Sequence, residues 1–359
     1  MPLDPMSLPT ALVGLCKDQI HQAGQRYTPG IDPSAPNLRI AALSTAIDNV
    51  ACGDAAQTRF QVVLDEFATA WKRAKHHSQR SAEIEQLVDA ASASLPVMMN
   101  RLRSRDATAG DEWAKRLSQI DAILMEDFAH WQAEEAKLAP DDGGYSSARN
   151  TVRANMDAIG SCLRVVRDEA EYTVSPSFKL LFDPTLLIGG EWGTGKTHFL
   201  CDITSDRLTQ SAPTVLVLAK NFEGNVLAEI CARLGHATSV EDKFAELENA
   251  GRAAKGRTIF IVDGVNEGRR REWRQAISAL LLLVAERPNI ALVVTCRTPF
   301  EAIAIEKSDL GKFQRLRHYG FDDQEFDAQA AFFQYYQLPL PEVPLLDREF
   351  SRLLMLTKN

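Results

Sequence analysis

Eight consecutive residues, Gly190-Glu-Trp-Gly-Thr-Gly195-Lys196-Thr197, restrict the fold of this chain more than any other stretch. They fit the spacing G-x-x-x-x-G-K-[ST], with an apolar run before them and a helical pattern after them. Glycines let the backbone turn tightly, so that successive N–H groups face an anion at a helix N-terminus. Lys196 adds a point charge for the β- and γ-phosphates of a nucleotide, and the Thr197 hydroxyl adds a hard oxygen for magnesium. The candidate binding residues are Gly190, Glu191, Trp192, Gly193, Thr194, Gly195, Lys196, Thr197 and the adjoining His198. The implied ligands are ATP and Mg2+. A glycine-rich turn that binds nothing is the alternative.

The surroundings of the loop have a consistent texture. Short apolar runs at 185–188, 214–219, 258–262 and 290–295 are each bounded by Gly, Pro, Asn or Asp, with helix-length segments between them. Parallel strands covered on both faces by crossover helices produce this alternation. The expectation is an α/β domain with a parallel sheet and helices on both faces, in which the 290–295 strand lies between the loop strand and the 258–262 strand. Thr258-Ile-Phe-Ile-Val-Asp263 ends in a carboxylate, as the magnesium side of such a site requires. Ile290-Ala-Leu-Val-Val-Thr-Cys-Arg297 ends in a cation, so Arg297 is either a γ-phosphate sensor or a surface salt-bridge residue.

The first half reads as helices. Phe60, Val63, Leu64, Phe67, Trp71 and Ala74 recur at three- and four-residue steps, as do Trp113, Leu117, Ile120, Leu124, Phe128 and Trp131. Ile84, Leu87, Val88, Ala91 and Leu95 repeat the pattern, and Pro96 predicts an interruption. Residues 140–144, Pro-Asp-Asp-Gly-Gly, predict a loop, and a further helix follows over 147–171. Trp71, Trp113 and Trp131 sit on apolar stripes, which points to core packing rather than a ligand box. The predicted layout is a helical N-terminal domain over 1–140, a linker and connecting helix over 141–178, a nucleotide-binding core over 179–325, and the start of a helical lid over 326–359.

Composition narrows the function classes, and it demotes nucleic acid without excluding a local basic face. A net charge of −8 gives no general attraction to nucleic acid or anionic membranes. The longest strongly apolar run, 279–285, is far short of the roughly 20 residues that span a bilayer. The N-terminus has no signal-peptide pattern, and the six scattered cysteines form no Cys-x-x-Cys pair, so reduced core thiols in a cytoplasmic protein are expected. No Asn-Lys-x-Asp guanine signature occurs, which favours adenine.

Taken with Asp263-Gly-Val-Asn-Glu267 and Val293-Val-Thr-Cys-Arg297, the loop resembles the STAND class of ATPases, particularly its NACHT-like members within the AAA+-related group. The resemblance covers about residues 180–359. It implies Asp263 and Thr197 as the metal site, Glu267 as the water-orienting base, and Lys196 and Arg297 as catalytic cations. Gly264 is the small residue that the pattern places after the metal acid. Asn266 stands where many relatives carry another acid, and no Glu directly follows Asp263, which implies slow hydrolysis suited to a switch. The segment Ala23-Gly-Gln-Arg-Tyr-Thr-Pro29 resembles N-termini attached to bacterial NTPases of this kind. His318-Tyr-Gly-Phe321 resembles the last core strand, and 349–359 the approach to the family's lid. The chain is therefore expected to be an N-terminal fragment of a signalling or antiphage-defence ATPase. Such a protein self-oligomerises when a C-terminal region beyond it senses a protein or nucleic-acid trigger. The competing reading is an AAA+-type ATPase that loads or remodels nucleic acid or protein, supported by the basic run Arg269-Arg-Arg271.

Overall fold

The computed structural model describes residues 8–28, 41–138, 147–235, 239–320, 325–335 and 337–339. In chain order, α1 (Leu8–Ala23) and α2 (Ala41–Ala51) precede five helices, α3 (Asp54–Ala74), α4 (Ser81–Arg103), α5 (Ala107–Lys137), α6 (Ser147–Thr173) and the short α7 (Pro176–Lys179). Then come β1 (Thr185–Gly190), α8 (Lys196–Thr209), β2 (Thr214–Leu218), α9 (Val226–Arg233), α10 (Val240–Ala253), β3 (Thr258–Asp263), α11 (Arg270–Ala285) and β4 (Ile290–Arg297). The short helices α12 (Glu301–Ala304) and α13 (Lys307–Leu310), the strand β5 (Gln314–Arg317) and α14 (Glu325–Tyr335) complete the described chain. Two compact units result: residues 54–182, and residues 1–53 together with 183–359.

The helical unit forms as its apolar stripes predict. Phe60, Leu64, Phe67 and Trp71 are buried along α3, and Trp113, Leu117, Ile120 and Leu124 along α5. One local expectation fails: α4 runs straight through Pro96. An interior proline costs about 3 kcal/mol. Burying Leu95 just before it and Met98, Met99 and Leu102 on the following turns offsets it, at about 1.5–3 kcal/mol for each large side chain. The predicted loop at 140–144 lies outside the described residues, as do Phe321 and the 349–359 stretch.

The other unit is built on a five-stranded parallel sheet in the order β2-β3-β4-β1-β5. The placement of β4 between β1 and β3 is the one expected. Strands β1 to β4 are buried on both faces, which is why they read as continuous apolar runs. The last strand is not where the sequence reading puts it. It spans Gln314–Arg317, just before His318, and alternates half-buried with exposed residues. An edge strand pairs on one side only, so its Gln-Arg-Leu-Arg carries no apolar run to betray it.

Helices α1 and α2 belong to this sheet unit, whereas the sequence reading groups them with 54–140. The reason is the open edge of β2. Leu12 and Leu15 join the sheet's core. One turn on, the Cys16 thiol donates to the Thr214 carbonyl at 3.2 Å, and the Gln19 side-chain oxygen accepts from the Leu218 N–H at 3.0 Å. An edge strand's unpaired backbone groups are thus met by helix side chains. Similarly, the C-terminal carbonyls of α2 are satisfied by the segment before β3: Arg257 N donates to Ala51 O at 2.8 Å and its guanidinium to Val50 O at 3.3 Å. All six cysteines are buried free thiols. No helix among the described residues is long and apolar enough to cross a membrane.

Candidate nucleotide-binding site

The site stands at the C-terminal ends of three neighbouring strands, β1, β4 and β3, where open α/β sheets present their ligand crevice. Strand β1 ends at Gly190, and α8 begins at Lys196 with Gly195 as its cap residue. Gly193 and Gly195 have φ of 82° and 99°, so the loop turns through backbone conformations that side chains strain. Gly190 is held by space instead: a Cβ there would lie 2.7 Å from the His318 carbonyl oxygen. His318 in turn donates its N–H to Gly189 O at 2.8 Å, continuing the β1–β5 ladder.

Lys196 folds back over the loop. Its ammonium donates to Glu191 O at 2.6 Å, Gly190 O at 2.9 Å and Thr194 Oγ1 at 3.2 Å. Burial lowers its pKa to about 8; nearby Asp263 opposes that shift and Arg297 adds to it. The ammonium thus sits on weak carbonyl partners in a cleft, where an anion would be a better one.

Asp263, the last residue of β3, is buried and accepts two short bonds, from Thr295 Oγ1 at 2.6 Å and from Thr197 Oγ1 at 2.7 Å. Thr295 comes from β4, which the strand order sets beside β3, and its hydroxyl also accepts from Gly264 N at 2.8 Å. Burial holds the Asp263 carboxyl above its ordinary pKa, with the two threonine hydroxyls opposing. Among the described residues Asp263 has neutral hydrogen-bond donors and no ion-pair partner. Thr197 spends its one hydroxyl hydrogen on Asp263, which leaves its lone pairs as ligands for a hard cation. The pair fits Mg2+. This unit is an α/β domain with a five-stranded parallel sheet, whose first strand leads into a loop of the phosphate-binding pattern.

Glu267 follows on the β3–α11 loop. Its Oε1 accepts from the Arg297 guanidinium at 2.8 Å and its Oε2 from the Arg26 guanidinium at 2.6 Å. Asn266 Oδ1 accepts from the Arg297 backbone N–H at 3.0 Å, tying this loop to the end of β4. The structure therefore gathers Lys196, Thr197, Asp263, Asn266, Glu267 and Arg297 around one cleft, which residues 192–198 of the loop also line. Glu191 lies outside that lining; its carboxylate is exposed, 3.7 Å from Arg317. His198 lies with its ring edge-to-face on Tyr27, centroids 5.2 Å apart, and burial lowers its pKa. Trp192 is 40% exposed at the rim.

Arg26 and Thr295 are site residues that sequence reasoning missed. Thr295 was readable as the residue two before Arg297 on a buried strand. Arg26 had a signal only in the quoted Arg-Tyr-Thr-Pro segment, with nothing local to link it to Glu267.

No family model and no curated protein matches the chain. Solved structures similar to it include Cdc6p from Pyrobaculum aerophilum, at 15% identity and a TM-score of 0.32, covering 47% of this chain and 46% of that one. Another is the Drosophila ORC bound to GC-rich DNA and Cdc6, at 13% identity and a TM-score of 0.29, covering 51% and 62%. A third is the same assembly bound to AT-rich DNA, at 12% identity and a TM-score of 0.28, covering 50% and 61%. The chain thus spans less than two thirds of each.

Proposed function

We propose that this chain binds Mg-ATP at residues 190–197 and works as a slow-hydrolysing nucleotide switch of the STAND/NACHT-like kind, within an AAA+-related group. The observation that carries this reading is Glu267, with both carboxylate oxygens engaged by arginines. It is the sole carboxylate in the five residues after Asp263. The loop N–H groups and Lys196 bind the phosphates, and Arg297 senses the γ-phosphate. Thr197 and Asp263 hold Mg2+, which, when bound, neutralises charge on the phosphates. In hydrolysis a water oxygen forms a bond to the γ-phosphorus while the bond to the β–γ bridging oxygen breaks, and ADP leaves with that electron pair. Glu267 orients the water and takes its proton, which requires it to let go of an arginine. Turnover is slow because no Glu directly follows Asp263 and Asn266 accepts a proton poorly.

Signalling or antiphage defence, self-oligomerisation on activation and a sensed trigger belong to this reading through the resemblance of Asp263-Gly-Val-Asn-Glu267 and Val293–Arg297 to the STAND class. The second reading is an AAA+-type ATPase that remodels nucleic acid or protein. It draws on Arg270 and Arg271, exposed at the start of α11. Arg269 and Arg274 of the same region are engaged by Glu223 and Glu306, which reduces the basic surface.

Titration calorimetry with Mg-ATP tests the site. Lys196→Ala should weaken binding by roughly 1.5–3 kcal/mol, about 10–150-fold; unchanged affinity removes the assignment. In the same preparations, Glu267→Gln should keep binding but lower the single-turnover hydrolysis rate sharply. Equal rates for Gln and wild type would make Glu267 a structural acid.

A further inference from the structure

Arg26 comes from a part of the chain with no phosphate motif, yet it lines the cleft beside Lys196 and Arg297. Its backbone is held on both sides. Before it, Gln19 of α1 is fully buried, with its side-chain oxygen bonded to Leu218 N and Asn221 Nδ2. After it, Tyr27 packs edge-to-face on His198, the residue directly after Thr197 on α8, and Thr28 is buried with its backbone hydrogen-bonded to His198. The segment is thus anchored to the sheet's edge and to the helix that starts at the phosphate loop. The Arg26 side chain, in contrast, is 36% exposed and ends on Glu267.

Charge argues for what that guanidinium does. Three cationic side chains, Arg26, Lys196 and Arg297, line the cleft against two carboxylates, Asp263 and Glu267. That excess of one positive charge meets a magnesium triphosphate of net charge about −2. A phosphate offers a guanidinium the same forked geometry as a carboxylate, with more charge on it.

We propose that Arg26 is a terminal-phosphate ligand supplied by the N-terminal segment: when a nucleoside triphosphate enters, its guanidinium exchanges Glu267 for the γ-phosphate. The exchange frees Glu267 Oε2 and ties α1 to the occupancy of the loop. A diphosphate leaves the Arg26–Glu267 pair intact. This inference rests on the nucleotide reading of residues 190–197 and adds to it a residue and a preference for triphosphate over diphosphate.

The test is calorimetric titration of Mg-ATP and Mg-ADP into the full chain, as wild type, Arg26→Ala and Arg26→Lys, with melting curves to confirm folding. Arg26→Ala should lower Mg-ATP affinity about tenfold while Mg-ADP affinity stays within about twofold, and Arg26→Lys should recover part of the loss. Equal losses for both nucleotides would make Arg26 a brace of the fold and overturn the proposal. Unchanged affinity for both would confine Arg26 to Glu267 and overturn it as well. A wild type that binds neither nucleotide would bring down the loop reading itself, and this one with it.

Discussion

Glu169 of the helical unit and Asp263 of the sheet unit are both buried carboxylates, and they are held in opposite ways. In the helical unit Glu169 is 2% exposed, lies 2.8 Å from the Arg59 guanidinium and accepts from Trp113 Nε1 at 3.0 Å. Arg59 also lies over the Tyr172 ring, 3.3 Å from its centroid. Burial raises the Glu169 pKa, and Arg59 opposes the shift. In the sheet unit Asp263 is similarly buried but receives two neutral hydroxyls. A carboxylate given a resident cation is complete and serves the fold. One given only neutral donors is costly to keep charged, and a cation from outside relieves the cost. Between these two acids the charge of the partner, and not the depth of burial, marks the difference.

Glu169→Ala makes the largest change and probes the first half of that contrast. It removes the acceptor of both Arg59 and the Trp113 Nε1–H and leaves a cavity, so it should destabilise the helical unit by about 3 kcal/mol. Thermal unfolding measures the loss, and Mg-ATP affinity of the folded protein should not move. A coupled fall in affinity would break the separation.

Asp263→Asn probes the other half and should shift stability less, in the opposite direction. A carboxyl held above its ordinary pKa leaves the folded state binding more protons than the unfolded one between those two pKa values. Stability is therefore lost as pH rises through that window. Removing the charge should raise the nucleotide-free melting midpoint at pH 7 and abolish the magnesium dependence of ATP binding. A lower midpoint would show that Asp263 is a structural acid like Glu169.

The smallest effect sharpens the comparison through Lys196. With a pKa of about 8 in the free protein, it is partly deprotonated at pH 8.5, and a bound polyphosphate favours its charged form. Binding at pH 8.5 should take up a fraction of a proton, and binding at pH 6.5 almost none. Calorimetry in buffers of different ionisation enthalpy reads this directly, and equal uptake at both pH values would place the titration elsewhere.

Much of the sheet unit was legible because its signals are local. The phosphate loop, the apolar runs of β1 to β4 and the polar residues that end them each lie within a few consecutive positions, and parallel strands buried on both faces advertise themselves. The stripes of α3 and α5 are equally local. Pro96 misled because a local cost of helix breaking was outweighed by packing on the turns that follow it. The last strand was misplaced because an edge strand need not be apolar.

The chain's own order of residues determined that a loop of the phosphate-binding pattern sits between a strand and a helix, and that Asp263 and Arg297 each end an apolar strand. Only the tertiary structure decided that α1 closes the open edge of β2, that Thr295 completes the Asp263 pair, and that Arg26 reaches Glu267 across 241 positions of sequence. The physical reason is reach. Propensity and periodicity record what a residue does with neighbours a turn or a strand away. An edge strand's unpaired N–H or a carboxylate's free oxygen is satisfied by whichever side chain folding delivers, and the sequence carries no mark of that partner.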